Sequence, residues 1–314
     1  MFSIVTDTSA NLDTALLQQR QISVIPFHYY LDGQEQACHE LNAFDGPSYY
    51  AAMRAGHKAS TSQIPPQEYI DFFRPMLERD EDILLVSMSS GISGAYSSAC
   101  MAAHQLREEF PQRQIILVDT FSASLGEGLL VLRAADCRDR GMSLLDTANF
   151  LNELRYHMCQ VFTVGDLKYL RAAGRLSNLA SMLGIALHIK PLLKGNEEGK
   201  IVGFGKVIGR EKSIRALAEQ YEAYVQDAGA QTVGIVDLVA GDVLHDEHVF
   251  CAPLRERGRA VGVGDAVVEA LELGDVVRLD REVELLLHGA PDLVEHGVKV
   301  ERARKRRILE SCAR

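Results

Sequence analysis

The chain has 314 residues, 47% hydrophobic and 24% charged, with 25 Gly, 9 Pro and a formal charge of −10. At about 100–200 residues per domain this is two domains or one large one, which excludes a hormone-sized peptide, a collagen-like fibre, a disulfide-stapled miniprotein and a wholly disordered chain. The excess of 43 Asp+Glu over 33 Lys+Arg argues against wholesale binding to nucleic acid or to an anionic membrane, both of which reward basic surface.

The first residues, Met1 to Asp13, lack a basic segment followed by an apolar run, and no stretch approaches the roughly 18–20 apolar residues of a membrane span. A cytoplasmic protein with no transmembrane segment is expected. Cys38, Cys100, Cys137, Cys159, Cys251 and Cys312 form no C-x-x-C pair and no zinc-finger spacing with histidine, so they read as reduced, mostly buried small hydrophobes. No metal or cofactor is expected.

Short aliphatic runs that end in Asp, Ser or Thr recur through the first half. Phe2 to Val5 leads into Thr6-Asp7-Thr8-Ser9, Ile83 to Val86 into Ser87-Met88-Ser89-Ser90-Gly91, and Ile115 to Val118 into Asp119-Thr120-Phe121-Ser122. Such runs are what strands buried on both faces look like, and the stretches Tyr96 to Glu109 and Leu125 to Arg138 have the length of crossover helices. The pattern predicts a parallel α/β sheet with helices on its faces. It restarts with a helix over Asn149 to Cys159 and a strand at Val161 to Val164, which places a boundary near residue 158. Beyond it come a helical stretch from Asn178 to His188 and a strand at Lys190 to Leu193. A Gly-rich turn from Gly195 to Lys200, a strand at Ile201 to Phe204 and a helix from Lys212 to Val225 follow. A turn between two apolar runs reads as a β-hairpin, so the second domain is expected to be α+β.

The segment carrying most chemistry is Ser87-Met88-Ser89-Ser90-Gly91-Ile92-Ser93-Gly94-Ala95-Tyr96. A strand ends, Gly91 and Gly94 allow a tight turn, Ser93 stands where an N-cap would, and a small-residue helix begins. Unpaired amides and the positive end of a helix at a strand's carboxyl edge suit a carboxylate or phosphate. A serine cluster that merely caps the helix is the structural alternative. A nucleophilic serine is disfavoured because Gly91-Ile92-Ser93-Gly94 is not a G-x-S-x-G elbow. A second polar segment, Thr61-Ser62-Gln63, reads as a loop before Pro65-Pro66 and a helix from about Gln67, and could add neutral hydroxyl donors to the same ligand.

Taken together, Ile4 to Leu12, Thr61-Ser62-Gln63, Ser89 to Tyr96, Val118 to Ser124, Leu167 to Ser177, Ile189 to Leu193 and Gly205-Lys206-Val207 with Arg210 resemble the DegV family over about residues 1–236. The resemblance implies a two-domain DegV-like α/β fold that binds a long-chain fatty acid, with no enzyme activity of its own, and the acidic balance already argues against a nucleic-acid partner. It further implies that Thr61 and Ser93 hold the carboxylate, that the acyl chain lies in an apolar tunnel between the domains, and that Ser62, Gly94 and Arg175 are possible supports. Lys206 and Arg210 are possible contacts for an acyl phosphate or for the catalytic subunit of a fatty acid kinase. The His-Thr-Gly-Pro-Gly-like closing loop usual in that family has no counterpart, and neither His288 nor His296 is assigned its role. The competing class, a phosphoryl-transfer enzyme using the same anion site, would call for a Walker or kinase Gly-rich loop, and neither motif is present.

From Leu238 to Arg307 the chain contains no Ser, Thr, Asn, Gln, Tyr, Met or Ile. Almost all residues there have codons beginning with G or C, which a fold has no reason to select. Two readings follow: an out-of-frame tail joined to a truncated gene, in which case the product is non-functional, or a divergent domain from a GC-rich genome. The expected division is 1–157, an N-terminal α/β domain; 158–237, a C-terminal α+β domain lacking its ending if the tail is out of frame; and 238–314, the atypical tail.

Overall fold

The computed structural model describes residues 2–38, 44–165, 167–175, 189–224, 232–237, 248–253, 259–263 and 284–288. In chain order its elements are β1 (Phe2–Asp7), α1 (Thr14–Gln19), β2 (Ile22–Ile25), β3 (Phe27–Leu31), β4 (Gln34–Cys38), α2 (Gly46–Ala55), β5 (Ala59–Ser62) and α3 (Pro66–Glu78). Next come β6 (Asp82–Ser87), α4 (Ala95–Glu109), β7 (Ile115–Asp119), α5 (Leu125–Asp139), α6 (Leu144–Leu154), β8 (Met158–Thr163) and α7 (Leu167–Ala172). The last are β9 (Ile189–Gly195), β10 (Ile201–Ile208), α8 (Arg210–Tyr224), β11 (Thr232–Asp237), β12 (His248–Pro253), β13 (Arg259–Val263) and β14 (Glu284–His288).

The three aliphatic runs of the first half form β1, β6 and β7 of a parallel sheet in the order β2-β1-β6-β7. Their side chains alternate between two cores, as the pleat requires. Ile4, Leu84 and Val86 pack with Leu129, Leu130 and Leu151 of α5 and α6, whereas Val5, Ile83 and Leu85 pack with Tyr69, Phe73, Ala102 and Leu106 of α3 and α4. Both faces are covered, which is why these strands read as unbroken apolar runs. Each aliphatic side chain so enclosed contributes about 1.5–3 kcal/mol.

The helix α5 approaches the turn after β1 closely: a methyl group at Gly128 would stand 2.5 Å from the Ala10 carbonyl oxygen. The helix α6 starts at a Ser143 cap whose hydroxyl oxygen accepts the Asp146 amide at 3.1 Å. Ser143→Ala is expected to cost about 1 kcal/mol of unfolding free energy with the urea slope unchanged, the usual worth of an N-cap.

Three local expectations are corrected. The helix expected over Asn149 to Cys159 ends at Leu154, and Met158 and Cys159 already belong to β8. Thr61 and Ser62 lie on a strand rather than in a loop: β5 pairs antiparallel with β3, which also pairs with β4, giving a three-stranded sheet the sequence did not announce. The polar composition of β5, Ala59-Ser60-Thr61-Ser62, hides it, because cross-strand backbone bonding rather than apolar alternation holds an exposed strand of this kind. The third concerns Ser93 and is taken up with the site. The helix expected over Asn178 to His188 lies outside the described residues.

The second sheet has the order β10-β9-β8-β12-β11-β13-β14 and is mixed, with β9 and β10 forming the antiparallel hairpin expected from the Gly195 to Lys200 turn. The helix α8 covers it through Leu217, against Val161 and Leu192. All strands of the parallel sheet precede residue 158 and all strands of the mixed sheet follow residue 157, and we propose that point as the domain division. Gln160 stitches across it, its side-chain amide accepting from the Ala123 N–H at 3.3 Å and donating to the Ala123 carbonyl at 2.6 Å. Three strands, β12 to β14, come from residues 238–314. The two readings of that stretch are separated by the gene itself: an intact second frame across it identifies replacement, and its absence identifies a divergent domain.

Candidate functional site

A cavity of about 360 Å³ opens where the carboxyl edge of the parallel sheet meets the second domain. Its walls are Gln63, the Gly91 to Gly94 turn, Ala173-Gly174-Arg175, and Lys200 with Ile201 of the hairpin. Four stretches far apart in sequence therefore build one site. Among the described residues Arg175 and Lys200 line it and no carboxylate does, which suits an anion.

The turn between β6 and α4 is held from three directions. The Ser89 N–H donates to the Ser122 carbonyl at 2.8 Å, and the Ser90 N–H donates to the Asp119 carboxylate at 3.1 Å. Thr120 donates its hydroxyl to the Ser87 carbonyl at 2.8 Å. Phe121 and Ser124 take positive φ values of 53° and 54° in this supporting loop, a conformation that costs a non-glycine residue free energy and persists where surrounding contacts enforce it. The third support is the hairpin: the Ser89 hydroxyl donates to the Gly199 carbonyl at 2.7 Å. Arg155 stacks on Phe121 at 4.1 Å and donates to the Asp119 carbonyl at 2.8 Å, closing the far side of the loop.

This support consumes donors that the sequence reading left for a ligand. Besides the Ser89 and Ser90 amides, the Gly91 N–H goes to the Ser89 hydroxyl oxygen at 3.1 Å, and the Ile92 and Ser93 N–H groups go to the Ser89 carbonyl at 3.0 and 3.1 Å. The helix cap is Gly94 rather than Ser93, although the Ser93 hydroxyl oxygen does accept the Ala95 N–H at 3.2 Å. Ser93 is 7% exposed and lines the cavity, and among the described hydrogen bonds none uses its hydroxyl proton. Among the described hydrogen bonds none uses the Gly94 amide. Of the polar groups of the Gly91 to Gly94 turn, the Ser93 hydroxyl and the Gly94 amide are thus the ones whose protons no described hydrogen bond uses, on a wall shared with Arg175 and Lys200. Burial pushes the Tyr96 phenol, at the start of α4, up to about 12, so it remains neutral.

The other expected residues fall as follows. Gly94 lines the cavity, and its lack of a side chain admits Gln63, whose side-chain Cδ would stand 2.8 Å from a Cβ there. Arg175 lines it too, with Nε donating to the Ile92 carbonyl at 3.2 Å and Nη1 to the Ala173 carbonyl at 2.7 Å, so it ties its own segment to the turn. Thr61 is exposed on β5 and Ser62 half-buried at its end; the cavity is lined instead by the third member of that segment, Gln63. Lys206 is exposed on β10 and Arg210 opens α8, and neither lines the cavity. Lys200 and Ile201 are additions that no motif signalled; the hairpin turn was visible, but not the surface against which it docks. Lys200 pairs with Glu198 at 2.6 Å.

The sequence model of one family, described as "Uncharacterised protein, DegV family", matches residues 1–246. A DegV domain-containing protein of Clostridium perfringens is 30% identical over 256 residues, 82% of this chain and 87% of its own length. One of Deinococcus radiodurans is 33% identical over 242 residues, 76% of this chain and 83% of its own. Among solved structures, a DegV family protein of Thermus thermophilus described as binding fatty acid aligns with a TM-score of 0.73 at 26% identity, over 91% of both chains. A fatty acid binding DegV family protein of Streptococcus agalactiae aligns at 0.70 with 26% identity, over 81% of this chain and 98% of its own.

Proposed function

The chain belongs to the DegV family, and from that premise we propose that it binds a long-chain fatty acid, with the carboxylate at the Ser93 hydroxyl. The observation that carries this reading is the cavity at the domain junction, where the Ser93 hydroxyl, used among the described hydrogen bonds only as an acceptor, shares the wall with Arg175 and Lys200 and no carboxylate of the described residues lines it. The relatives from Thermus thermophilus and Streptococcus agalactiae are themselves described as fatty acid binding. A neutral hydroxyl costs less to desolvate than a buried ion pair, so the head group is selected at low cost. Affinity would come from the acyl chain, at about 0.8 kcal/mol per buried methylene.

In this reading the protein is a carrier in the cytoplasm, and it presents the carboxylate to a partner, the catalytic subunit of a fatty acid kinase. Lys206 and Arg210, outside the cavity on the hairpin strand and the helix after it, are the residues we assign to that partner. Thr61 is assigned to the carboxylate on the family resemblance alone.

Native mass spectrometry of the purified chain tests the reading. The expected result is a bound mass equal to one long-chain fatty acid, released by organic extraction. A folded protein that carries no lipid and takes up none from added fatty acid would overturn it.

A further inference from the structure

Two carboxyl groups lie enclosed beneath the Ser-Gly turn, and neither lines the cavity described above. Asp7, at the end of β1, is 1% exposed, and Glu127, in the first turn of α5, is 0% exposed. They meet at the hydroxyl of Ser9, whose Oγ lies 2.6 Å from Glu127 Oε2 and also within hydrogen-bond reach of Asp7 Oδ1. A serine hydroxyl carries one hydrogen. It donates to one of these oxygens, so the other contact is a hydrogen bond only where a carboxyl supplies the proton.

The remaining donors decide which carboxyl that is. Asp7 Oδ1 also accepts the Ser9 N–H at 2.9 Å, while its Oδ2 faces the Met88 N–H at 3.3 Å and the Ser87 hydroxyl at 3.4 Å. Among the described residues Glu127 has one further donor, the Thr6 hydroxyl, at 3.0 Å from Oε1. Asp7 is therefore furnished as an anion and Glu127 as an acid. Among the described residues no arginine, lysine or histidine forms an ion pair with either. Among the described residues, the other titratable group facing the pair is Tyr69 of α3, whose phenol is held neutral by burial and by the charge of Asp7. Burial raises the Asp7 carboxyl above its ordinary range, and burial together with the Asp7 charge raises Glu127 well above its own.

We propose that Glu127 Oε2 carries a proton that it donates to Ser9 Oγ while Ser9 donates to an ionised Asp7, and that this relay positions the Ser87–Met88 strand end from which the site's turn starts. Both residues are thus positioning residues. The value of the relay to ligand binding rests on the fatty acid reading above; the proton itself does not.

The sign of the pH dependence follows. A carboxyl whose folded value is raised lends stability that is fully present below its unfolded value and is lost as pH rises toward the folded one. Through Glu127, the folding equilibrium should fall by up to about tenfold per pH unit upward from the ordinary glutamate range.

The test uses the full chain without ligand, so its failure is distinct from failure of the binding assignment. The infrared difference spectrum between the wild type and Glu127→Gln at neutral pH should show the carbonyl stretch of a buried protonated acid, present in the wild type and absent from the variant. Its absence from the wild type would overturn the proposal. Ser9→Ala removes the acceptor and should shift that band; an unmoved band would place the acid elsewhere. Glutamine mimics the neutral acid, so Glu127→Gln should fold and lack the tenfold component in its pH–stability profile, and failure to fold or an unchanged profile counts against the relay. Protection of the Met88 amide from hydrogen exchange, corrected for intrinsic rate, should weaken with rising pH in the wild type and not in Glu127→Gln. Equal behaviour in the two would remove the positioning role.

Discussion

Ser93→Ala is expected to weaken fatty acid binding roughly ten- to a hundredfold, the worth of a hydrogen bond to a charged group at about 1.5–3 kcal/mol. The argument is geometric. Ser93 is nearly enclosed and lines the cavity, and its oxygen already accepts the Ala95 N–H, so the proton it donates is the one contribution that a ligand carboxylate gains and alanine cannot replace. Loss of that acceptor should cost the fold about 1 kcal/mol, as for a helix cap. Titration with a long-chain fatty acid set beside urea unfolding of the same variant separates the two effects. Thr61→Val and Gln63→Ala, each combined with Ser93→Ala, then divide the Thr-Ser-Gln segment. Loss of all remaining retention with Thr61→Val assigns the second contact to Thr61, and loss with Gln63→Ala assigns it to the residue that lines the cavity. Unchanged lipid occupancy in Ser93→Ala with Thr61→Val would overturn the site.

Gly91→Ala should do more damage, because it attacks the junction of the two domains. A Cβ at Gly91 would stand 2.7 Å from the carbonyl carbon and oxygen of Gly199 and 2.8 Å from the Glu198 oxygen. These are backbone atoms of a turn whose Gly199 has a φ of +69°, so no side chain can swing aside. Either the Ser-Gly turn or the hairpin must withdraw, and withdrawal breaks the Ser89 to Gly199 bond and moves Lys200 and Ile201 off the cavity wall. A loss of about 2–3 kcal/mol of stability is expected, at the upper end for overpacking a well-filled contact, together with loss of measurable fatty acid binding. Thermal unfolding and limited proteolysis near residues 155–160 report on the first, and lipid titration on the second. Wild-type stability and binding in Gly91→Ala would show that the hairpin does not seat on the turn.

Much of the first domain was legible because its strands are local signals. Ile83 to Val86 is apolar on both faces since both faces are covered, and Ser87 to Gly91 breaks the run with residues that turn the chain. The β5 strand was not legible, since Ser60 and Thr61 are exposed and no periodicity marks a strand held by its neighbours' backbones. The end of α6 carries no signal in the sequence, because Arg155 to His157 continues as a tight helical turn before β8 begins, with no glycine or proline to mark the stop.

The sequence by itself determined the α/β class, the hairpin near residue 195 and the Ser-Gly turn whose Ser93 lines the cavity, each of which depends on residues within one short window. Only the tertiary structure decided which other groups join Ser93. Gln63, Arg175 and Lys200 come from three separate elements, and the amides of the Ser-Gly turn are spent on Asp119, Ser122 and Ser89 rather than kept for a ligand. The physical reason is that hydrogen-bond satisfaction is a property of the packed whole: a donor is available to a ligand only when no partner distant in sequence has already claimed it.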